Sequence, residues 1–329
     1  MGAAENWDLV NAVCGTKLNI HCALEERQTG SAQFMKEWDY DVLFVCDGVK
    51  EIEGIDTNMG HAVYAQDGID FNDDIYCPFN SVEEVYAFDP FEAYGLWDRK
   101  ELIKLFDDNY KLMCERFTDV VIIPGIYHTI MSGMIRIFGW DMLLTAAGTN
   151  PKAFGEVVDR YADWSSQYYK GISESIIPVI GSHDDQVWTE GAFINPEWYR
   201  RYIYPNLEML WDPVRKNGKK IVFQSDGNYT EFIRDVAACG NHGFWFEYFT
   251  DLDAVCKNFG NTHVIFGNAD TRILTFGTKE EIRREVQRCV DTGKNCPGYV
   301  MSVSGHFPSN MPVENALYFN EVFQELRYR

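Results

Sequence analysis

The sequence of 329 residues predicts a single α/β domain, a (β/α)8 TIM barrel with an irregular N-terminal extension. From about residue 98 onward, short apolar runs alternate with amphipathic helical segments. The runs are apolar on both faces, as the strands of a buried parallel sheet should be. Polar residues suited to catalysis follow nearly every run, and the carboxyl ends of barrel strands share one rim. The alternation therefore predicts the fold, and the polar strand ends predict where its chemistry lies.

Seven segments have the character of buried strands, because they are short and rich in β-branched or aromatic residues. They are residues 41–48, 120–125, 176–181, 220–227, 243–249, 263–270 and 298–305. A complete barrel needs eight strands, and we expect the remaining unit between residues 60 and 97, where the pattern is irregular. An open doubly wound sheet would alternate in the same way. No G-x-G-x-x-G segment follows a strand, however, which weakens that alternative.

Amphipathic segments between the strands predict the helices. They cover residues 98–116, 151–173, 196–216, 230–239, 279–292 and 313–327. Thr278 with Glu281 three residues later forms a capping-box pattern, which is a strong signal for a helix start. We therefore divide the chain into residues 1–97, a lid-like extension that includes the first barrel unit or units, and residues 98–329, the remainder of the same barrel domain.

The composition limits the possible partners and compartment. The formal net charge is −21, from 50 acidic and 29 basic residues, and such a chain repels phosphate groups. The sequence begins without a basic segment followed by an apolar run, so we expect no signal peptide. The nine cysteines include no Cys-x-x-Cys pair, a pattern typical of reduced thiols. We therefore expect a cytoplasmic protein with no nucleic-acid partner and no membrane partner.

Two carboxylates and an imidazole at three strand ends form the sharpest candidate site. Asp226 ends the fourth apolar run, Glu247 ends the fifth, and His306 follows the last. Gln224 lies two residues before Asp226 on extended backbone, so both side chains can point into one cavity. Oxygen and imidazole donors suit Zn²⁺ or a similar divalent ion with an open position for substrate. The same residues could also be hydrogen-bonded rim residues without a metal.

A second candidate cluster, His183, Asp184 and Asp185, follows the third run. These groups could bind a cationic group, orient a ligand or act as an acid–base pair, with Asp184 as the catalytic candidate. Helix capping and loop solvation would explain the two acids equally well. Other polar residues near strand ends are candidates for substrate binding: Asp47, Tyr127, His128, Gln224, Asn228, Asn268 and Asp270. Asp270 could instead cap the helix that follows it.

Three segments of the chain together resemble the uroporphyrinogen decarboxylase superfamily. In residues 184–228 an acidic turn precedes a Pro-Glu helix start, an Arg- and Tyr-rich helix and a strand that ends in a polar-Ser-polar-Gly-Asn turn. Residues 266–286 match a Gly-Asn-x-Asp-Thr turn with a Phe-Gly-Thr helix entry, and residues 305–315 match a Gly-polar-x-x-Pro segment. The resemblance covers roughly residues 100–325, is strongest from residue 184 onward, and implies the barrel fold.

The decarboxylases of that superfamily are the poorer match. They bind the carboxylates of a tetrapyrrole through an N-terminal Arg-Gln-Ala-Gly-Arg motif. This chain has Arg27-Gln28-Thr29-Gly30, but Ser31 stands where the second arginine would be. Loss of one arginine matters for a substrate with many carboxylates, because only arginine binds them in a fixed bidentate geometry. The resemblance therefore favours the branch that moves methyl groups to or from corrinoid proteins.

The chain departs from that branch at the metal ligands. Its thiol-methylating members hold zinc with His-x-Cys on one strand and a late Cys, often with a Glu nearby. At those positions this chain has Gln224, Asp226 and His306, with Glu247 placed like the nearby Glu. Oxygen and imidazole donors would leave the ion a harder Lewis acid than thiolates do, which suits the activation of an ether or alcohol oxygen. The substitutions also leave open that metal binding has been lost.

The resemblance thus implies a methyltransferase that moves a methyl group from a methylated oxygen compound to Co(I) of a separate corrinoid protein. The high aromatic content of 15% suggests a methoxylated aromatic donor. No Asp-x-His-x-x-G segment occurs, so we expect the corrinoid to arrive on a partner protein, and we expect the metal to be Zn²⁺. The alternatives are transfer from methyl-corrinoid to a thiol or tetrahydrofolate, a tetrapyrrole decarboxylase, and a non-catalytic barrel that binds a corrinoid protein.

Overall fold

Seven parallel strands form one curled sheet in a computed structural model, which describes residues 6–46, 55–57 and 76–327. The strands are β1 (Val42–Cys46), β2 (Val121–Ile126), β3 (Val179–His183), β4 (Lys220–Ser225), β5 (Gly243–Phe246), β6 (Val264–Phe266) and β7 (Tyr299–Val300). Each strand pairs with the next one along the chain, in the order β1 to β7. Each of the seven predicted segments therefore contains a strand, and the carboxyl ends of all seven strands lie on the same side of the sheet.

Helices connect and cover these strands. They are α1 (Trp7–Cys14), α2 (Leu24–Glu37), α3 (Val82–Ala87), α4 (Pro90–Tyr94), α5 (Arg99–Arg116), α6 (Ile130–Thr149), α7 (Pro151–Glu174), α8 (Pro196–Tyr202), α9 (Tyr204–Lys216), α10 (Ile233–Ala238), α11 (Leu252–Phe259), α12 (Thr271–Phe276), α13 (Lys279–Gly293) and α14 (Val313–Leu326). The six predicted helical segments are confirmed. The segment at 196–216 divides into α8 and α9, because Pro205 at the start of α9 has no N–H to donate back into α8.

The segment expected to hold the eighth barrel unit lies partly outside the described residues. Residues 76–97 contain α3 and α4 and no strand, and residues 60–75 lie outside the described part of the chain. Within that part, β1 pairs only with β2 and β7 only with β6, so the curled sheet does not close. A cavity of about 110 Å³ lies between β1 and β7, lined mainly by apolar and aromatic side chains. The barrel-type fold is confirmed, and the described sheet has seven strands where eight were predicted.

Aromatic rings from three strands fill the interior of the curled sheet. Phe44 of β1 lies across Gly125 and Gly181, which are paired in β2 and β3. A Cβ atom at Gly181 would lie 1.9 Å from the Phe44 ring, and one at Gly125 would lie 2.2 Å from it. Glycine at both positions is what permits this close approach. Trp245 and Phe266 stack beside Phe44, with ring centroids 4.6 Å apart, so the three rings form a floor beneath the strand ends.

A larger core lies between the sheet and its outer helices. Helix α7 buries Trp164, Tyr168 and neighbouring residues against α5, α6 and α9. Helix α6 is long and apolar enough, by length and composition alone, to cross a membrane. Two-thirds of the most apolar 18-residue stretch of α6 is buried inside this protein, however, as expected for a core helix. The composition of α6 is therefore explained by packing.

Candidate active site

The ends of β3 and β4 place the candidate site. The sheet register pairs His183 with Gln224, and the chain continues from these residues to Asp185 and Asp226. Side chains two residues apart on extended backbone share a face, and the face of His183 is that of Gly181, which contacts Phe44. Two neighbouring strands thus carry an imidazole, an amide and two carboxylates directly above the aromatic floor.

Three of these side chains meet closely enough to share a ligand. His183 Nε2 lies 2.9 Å from Asp185 Oδ1, and the same carboxylate oxygen accepts a hydrogen bond of 3.2 Å from the backbone N–H of Asp226. One potential ligand atom from each of His183, Asp185 and Asp226 lies within 4.8 Å of the other two. Helix α6 fixes the backbone of Asp185, because the Asp185 N–H donates to Ser132 Oγ at 2.9 Å. The trio is a possible metal site.

The charges of the trio are mutually dependent. Burial lowers the pKa of His183, but the charge and hydrogen bond of Asp185, with the charges of Asp226 and Asp184, outweigh burial and raise that pKa to about 9. The pKa of Asp226 is raised, first because protein surrounds its carboxyl group and then because Asp185 is close. The Asp226 side chain nonetheless retains accessible surface. We infer that Asp226 lies in a recess that is open to solvent.

The side chain of Asp184 is not directed at this recess, unlike those of His183 and Asp185. Its side chain is fully buried and accepts hydrogen bonds from the Ser132 N–H at 2.9 Å and from Gln186 Nε2 at 3.0 Å. Burial raises the pKa of Asp184 to about 6, although the hydrogen bonds from Gln186 and Ser132 oppose the rise. The catalytic role of Asp184 stays a prediction, and its contacts support a structural role that holds β3 against α6.

We expect the Asp184→Asn variant to flatten the pH dependence of stability in chelator-treated protein. Because folding raises the pKa of Asp184 to about 6, the folded protein retains a proton that the unfolded chain loses above about pH 4. This contribution to the free energy of unfolding is present at low pH and is lost as pH rises towards 6. The variant should gain about 1–3 kcal/mol relative to the parent protein between pH 5 and pH 8.

Urea unfolding at several pH values measures this change. Asparagine can keep both hydrogen bonds. Its Oδ1 can accept the Ser132 N–H, and its new amide N–H can donate to Gln186 Oε1 once the Gln186 amide has flipped. Gln186 Oε1 is free to accept, because this buried atom has no hydrogen-bond partner among the described residues. A variant whose stability falls with pH as steeply as that of the parent protein would contradict the assignment.

Glu247 and His306 do not join the trio. The sequence predicts a metal site of Asp226, Glu247 and His306, but within the described residues the ligand atom of Asp226 groups with His183 and Asp185. Glu247 Oε2 instead accepts the backbone N–H of Gly227 at 3.1 Å, and burial raises the pKa of Glu247. His306 lies half-buried in the segment after β7. The register of β3 beside β4 thus brings His183 to Asp226, and the donor set of Asp226, Glu247 and His306 stays a prediction.

Tyr127 and His128, predicted to bind substrate, point in different directions. The Tyr127 ring centroid lies 4.6 Å from that of His183, which places Tyr127 at the site. His128 stacks on Tyr168 of α7 at 4.3 Å and is buried in the helical layer. Burial, with the charge of Arg136, lowers the pKa of His128 to about 3, so this imidazole is neutral at ordinary pH. His128 therefore lies among core side chains, away from the trio.

The remaining predicted residues hold loops together. Asn228 Oδ1 accepts from the N–H and the hydroxyl of Thr230. Asn268 uses both ends of its amide, donating to the carbonyl oxygens of Glu247 and Thr250 and accepting from Arg288. Asp270 caps α12 and pairs with Arg272, as the capping alternative predicts. These contacts support structural roles for all three. Asp47 lies outside the described residues.

Sequence reasoning missed Trp188, the most exposed tryptophan of the described region at 56% exposure. Its backbone exchanges two hydrogen bonds with Gly191, and its carbonyl oxygen accepts the N–H of Asn228 at 2.9 Å. The Trp188 ring meets Trp140 of α6 edge to face at 5.6 Å. Because its backbone is fixed beside the 226–228 turn and its ring is exposed, Trp188 is a candidate contact for a ligand. Only its position in the acidic turn before α8 could have indicated it.

Comparisons with known proteins agree with this architecture. The family model described as "Uroporphyrinogen decarboxylase (URO-D)" matches residues 117–326, more than half of the chain. The uroporphyrinogen decarboxylase of Carboxydothermus hydrogenoformans is 26% identical over 176 residues, which cover 54% of this chain and 49% of that protein. A uroporphyrinogen decarboxylase of Thermus thermophilus is 26% identical over 170 residues, which cover 52% and 48%. The chain thus spans about half the length of the curated relatives it matches.

A solved structure extends the likeness of fold to the whole chain. A methyltransferase from Methanosarcina mazei superposes with a TM-score of 0.67 at 17% sequence identity. The superposition covers 100% of this chain and 92% of that one. The α5-to-α14 region and the N-terminal helices therefore share one architecture with a solved protein.

Proposed function

The chain belongs to the uroporphyrinogen decarboxylase family, and we propose that within it this protein is a methyltransferase. Its proposed reaction moves a methyl group from a methylated oxygen compound to Co(I) of a separate corrinoid protein. The observation that carries the proposal is the trio His183, Asp185 and Asp226, which offers nitrogen and oxygen donors above an aromatic floor. A methyltransferase of the same fold, from Methanosarcina mazei, makes this branch the natural one to test.

The acidic character of the site argues against a substrate with many carboxylates. Besides burial, the charge of Asp185 raises the pKa of both Asp226 and Glu247, and the charge of Glu247 raises the pKa of Asp226. Burial strengthens the repulsion that a further carboxylate would meet. The decarboxylase motif is also incomplete, and its remnant lies in α2, where Gly30 packs against Leu18. Decarboxylation remains the second candidate because the curated relatives at 26% identity are uroporphyrinogen decarboxylases.

The residues at the recess divide the work of methyl transfer. In the proposed reaction His183 and Asp226 would face the oxygen of the donor. Tyr127 and Phe44, whose rings lie 4.6 Å and 6.3 Å from that of His183, would border the same space. A divalent ion bound at these donors would supply a Lewis acid that withdraws electron density from the oxygen. In the proposed transfer the carbon–oxygen bond would break, and the electron pair of the new bond to the methyl carbon would come from Co(I) of the corrinoid acceptor. The oxygen would keep its pair and take up a proton.

Incubation of the protein with a Co(I) corrinoid and candidate donors tests the proposal. Methoxyarenes, methanol and methylamines are supplied in turn, and loss of the Co(I) absorbance is followed with time. We expect demethylation of a methoxyarene. Methylation of a thiol or tetrahydrofolate from methylcobalamin would favour the reverse direction, and release of CO2 from uroporphyrinogen would favour the decarboxylase. Activity in neither direction would contradict the proposal.

We expect Trp188→Ala to raise the KM for a methoxyarene by about 3–10-fold with little change in kcat. Trp188 is fixed beside the 226–228 turn, and its ring offers a stacking surface to an aromatic donor. An aromatic contact of this kind contributes about 0.5–1.5 kcal/mol beyond area burial. Steady-state kinetics measure the change, Trp188→Phe should retain most of the affinity, and the KM for methanol should not move. An equal rise of KM for methanol would show that Trp188 acts through the fold.

A further inference from the structure

We propose that one divalent metal ion binds between β3 and β4, held by His183, Asp185 and Asp226, with Gln224 as an additional oxygen donor. This inference deepens the proposed function by assigning the metal to a donor set of this chain. It differs from the set that the sequence predicts, because Glu247 and His306 take no part. Three observations support it: the spacing of the donor atoms, the buried amide oxygen of Gln224 that has no hydrogen-bond partner among the described residues, and the chemical type of the donors.

The spacing of the three donors suits a single ion. Zn²⁺ binds nitrogen and oxygen at about 2.0–2.2 Å, so two donors of one ion lie at most about 4.4 Å apart. The three candidate atoms lie within 4.8 Å of one another, and the His183 Nε2 to Asp185 Oδ1 distance is 2.9 Å. Small rotations of exposed Asp226 therefore complete the set. The backbones of both strands are already fixed by the β3–β4 pairing.

Gln224 supplies an independent indication of a ligand. Its side chain is 2% exposed, and its amide oxygen Oε1 has no hydrogen-bond partner among the described residues. A buried polar atom without a partner costs about 1–3 kcal/mol, so such atoms are rare unless a water or an ion serves them. Gln224 pairs with His183 in the register and precedes Asp226 by two residues, so its amide faces the side of the sheet that carries the trio.

The donors define the class of metal. One imidazole, two carboxylates and an amide oxygen suit Zn²⁺ and neighbouring divalent transition metals such as Co²⁺. They do not suit a soft ion that requires thiolates, and Ca²⁺ needs six to eight oxygen donors. The open side of the recess at Asp226 leaves room for a substrate oxygen. The assignment is therefore to a divalent ion of the zinc class with an accessible coordination position.

Direct metal binding by the full-length, chelator-treated protein tests the assignment. Zn²⁺ is titrated by calorimetry, and Co²⁺ is titrated while its visible d–d absorption is followed. We expect one ion per chain, and no intense sulfur-to-cobalt charge-transfer band. Asp226→Asn and Asp185→Asn should each weaken binding by at least about 100-fold, since even partners outside the coordination sphere contribute 10–100-fold. Gln224→Leu should weaken it by about 10-fold.

Two matched variants separate this donor set from the alternative. His306→Gln should bind Zn²⁺ as tightly as the parent protein, and Asp253→Asn, which removes an exposed carboxylate of α11, controls for loss of negative charge. Thermal melting verifies that each variant is folded, and Asp226→Asn tests the site even where the buried His183 cannot be replaced.

Absence of stoichiometric binding by the parent protein would overturn the assignment, as would loss of metal in His306→Gln as great as in Asp226→Asn. Because binding is measured without turnover, metal bound as expected together with no methyl transfer would reject the proposed reaction and leave the site standing.

Discussion

Replacing Asp226 by asparagine is expected to lower the rate of methyl transfer by at least about 100-fold while the protein stays folded. Asp226 stands at the open side of the trio, where its carboxylate can reach both His183 and a bound substrate. Asparagine has nearly the same shape but cannot carry the charge that a metal or an imidazolium requires. The Co(I) absorbance assay measures the rate, and Asp253→Asn on the surface of α11 provides the control.

The stability of the same variant distinguishes a functional role from a structural one. Folding raises the pKa of Asp226, so the ionised carboxylate is less favourable in the folded protein than in the unfolded chain. Without metal this group therefore opposes folding at neutral pH, and its removal should leave the melting temperature of the chelator-treated protein unchanged or raise it. Functional groups commonly carry such a cost in stability. A variant that loses activity and melts much earlier would show that Asp226 supports the fold instead.

Replacing Gly181 by alanine is expected to destabilise the protein by about 1–3 kcal/mol, although alanine is the smallest possible addition. The new Cβ atom would lie 1.9 Å from Cε2 of the Phe44 ring and within 2.8 Å of two further ring atoms. Phe44 cannot move aside freely, because Trp245 lies 5.8 Å away and Tyr127 lies 6.4 Å away, centroid to centroid. Urea unfolding measures the loss.

Matched variants identify the cause of that loss. Gly148→Ala places a methyl group in open space near the end of α6, so it should be neutral or slightly stabilising. Phe44→Leu removes part of the clash, so the double variant Gly181→Ala with Phe44→Leu should lose less stability than the sum of the two single variants. Strictly additive losses would show that Phe44 is not what constrains Gly181.

The strands and helix starts could be predicted because their signals are local. Buried parallel strands read as short apolar runs, and all seven predicted runs contain a strand. Asn150, Asn195 and Thr278 each accept a backbone N–H at the start of the predicted helix, and Thr278 and Glu281 form the predicted capping box. Such features depend on a few neighbouring residues, so composition and spacing are enough to find them.

The candidate site was only half predictable, because its assembly depends on register. The sequence placed His183, Asp185 and Asp226 at strand ends, but the pairing of His183 with Gln224 decides which imidazole reaches Asp226. The predicted substrate role of Asn268 stays a prediction, but its amide also donates to backbone carbonyl oxygens of the neighbouring loop, contacts that no residue pattern reveals. Polar residues at strand ends thus predict the location of a site better than the role of each member.

The aromatic floor has a kinetic consequence. Phe44, Trp245 and Phe266 pack together inside the curled sheet beneath His183, and the recess at Asp226 lies at the carboxyl ends of the strands. In the proposed methyl transfer, the small donor and the protein that carries the corrinoid would both approach from that end. A docked protein would cover the recess, so the small molecule would have to bind before the protein docks.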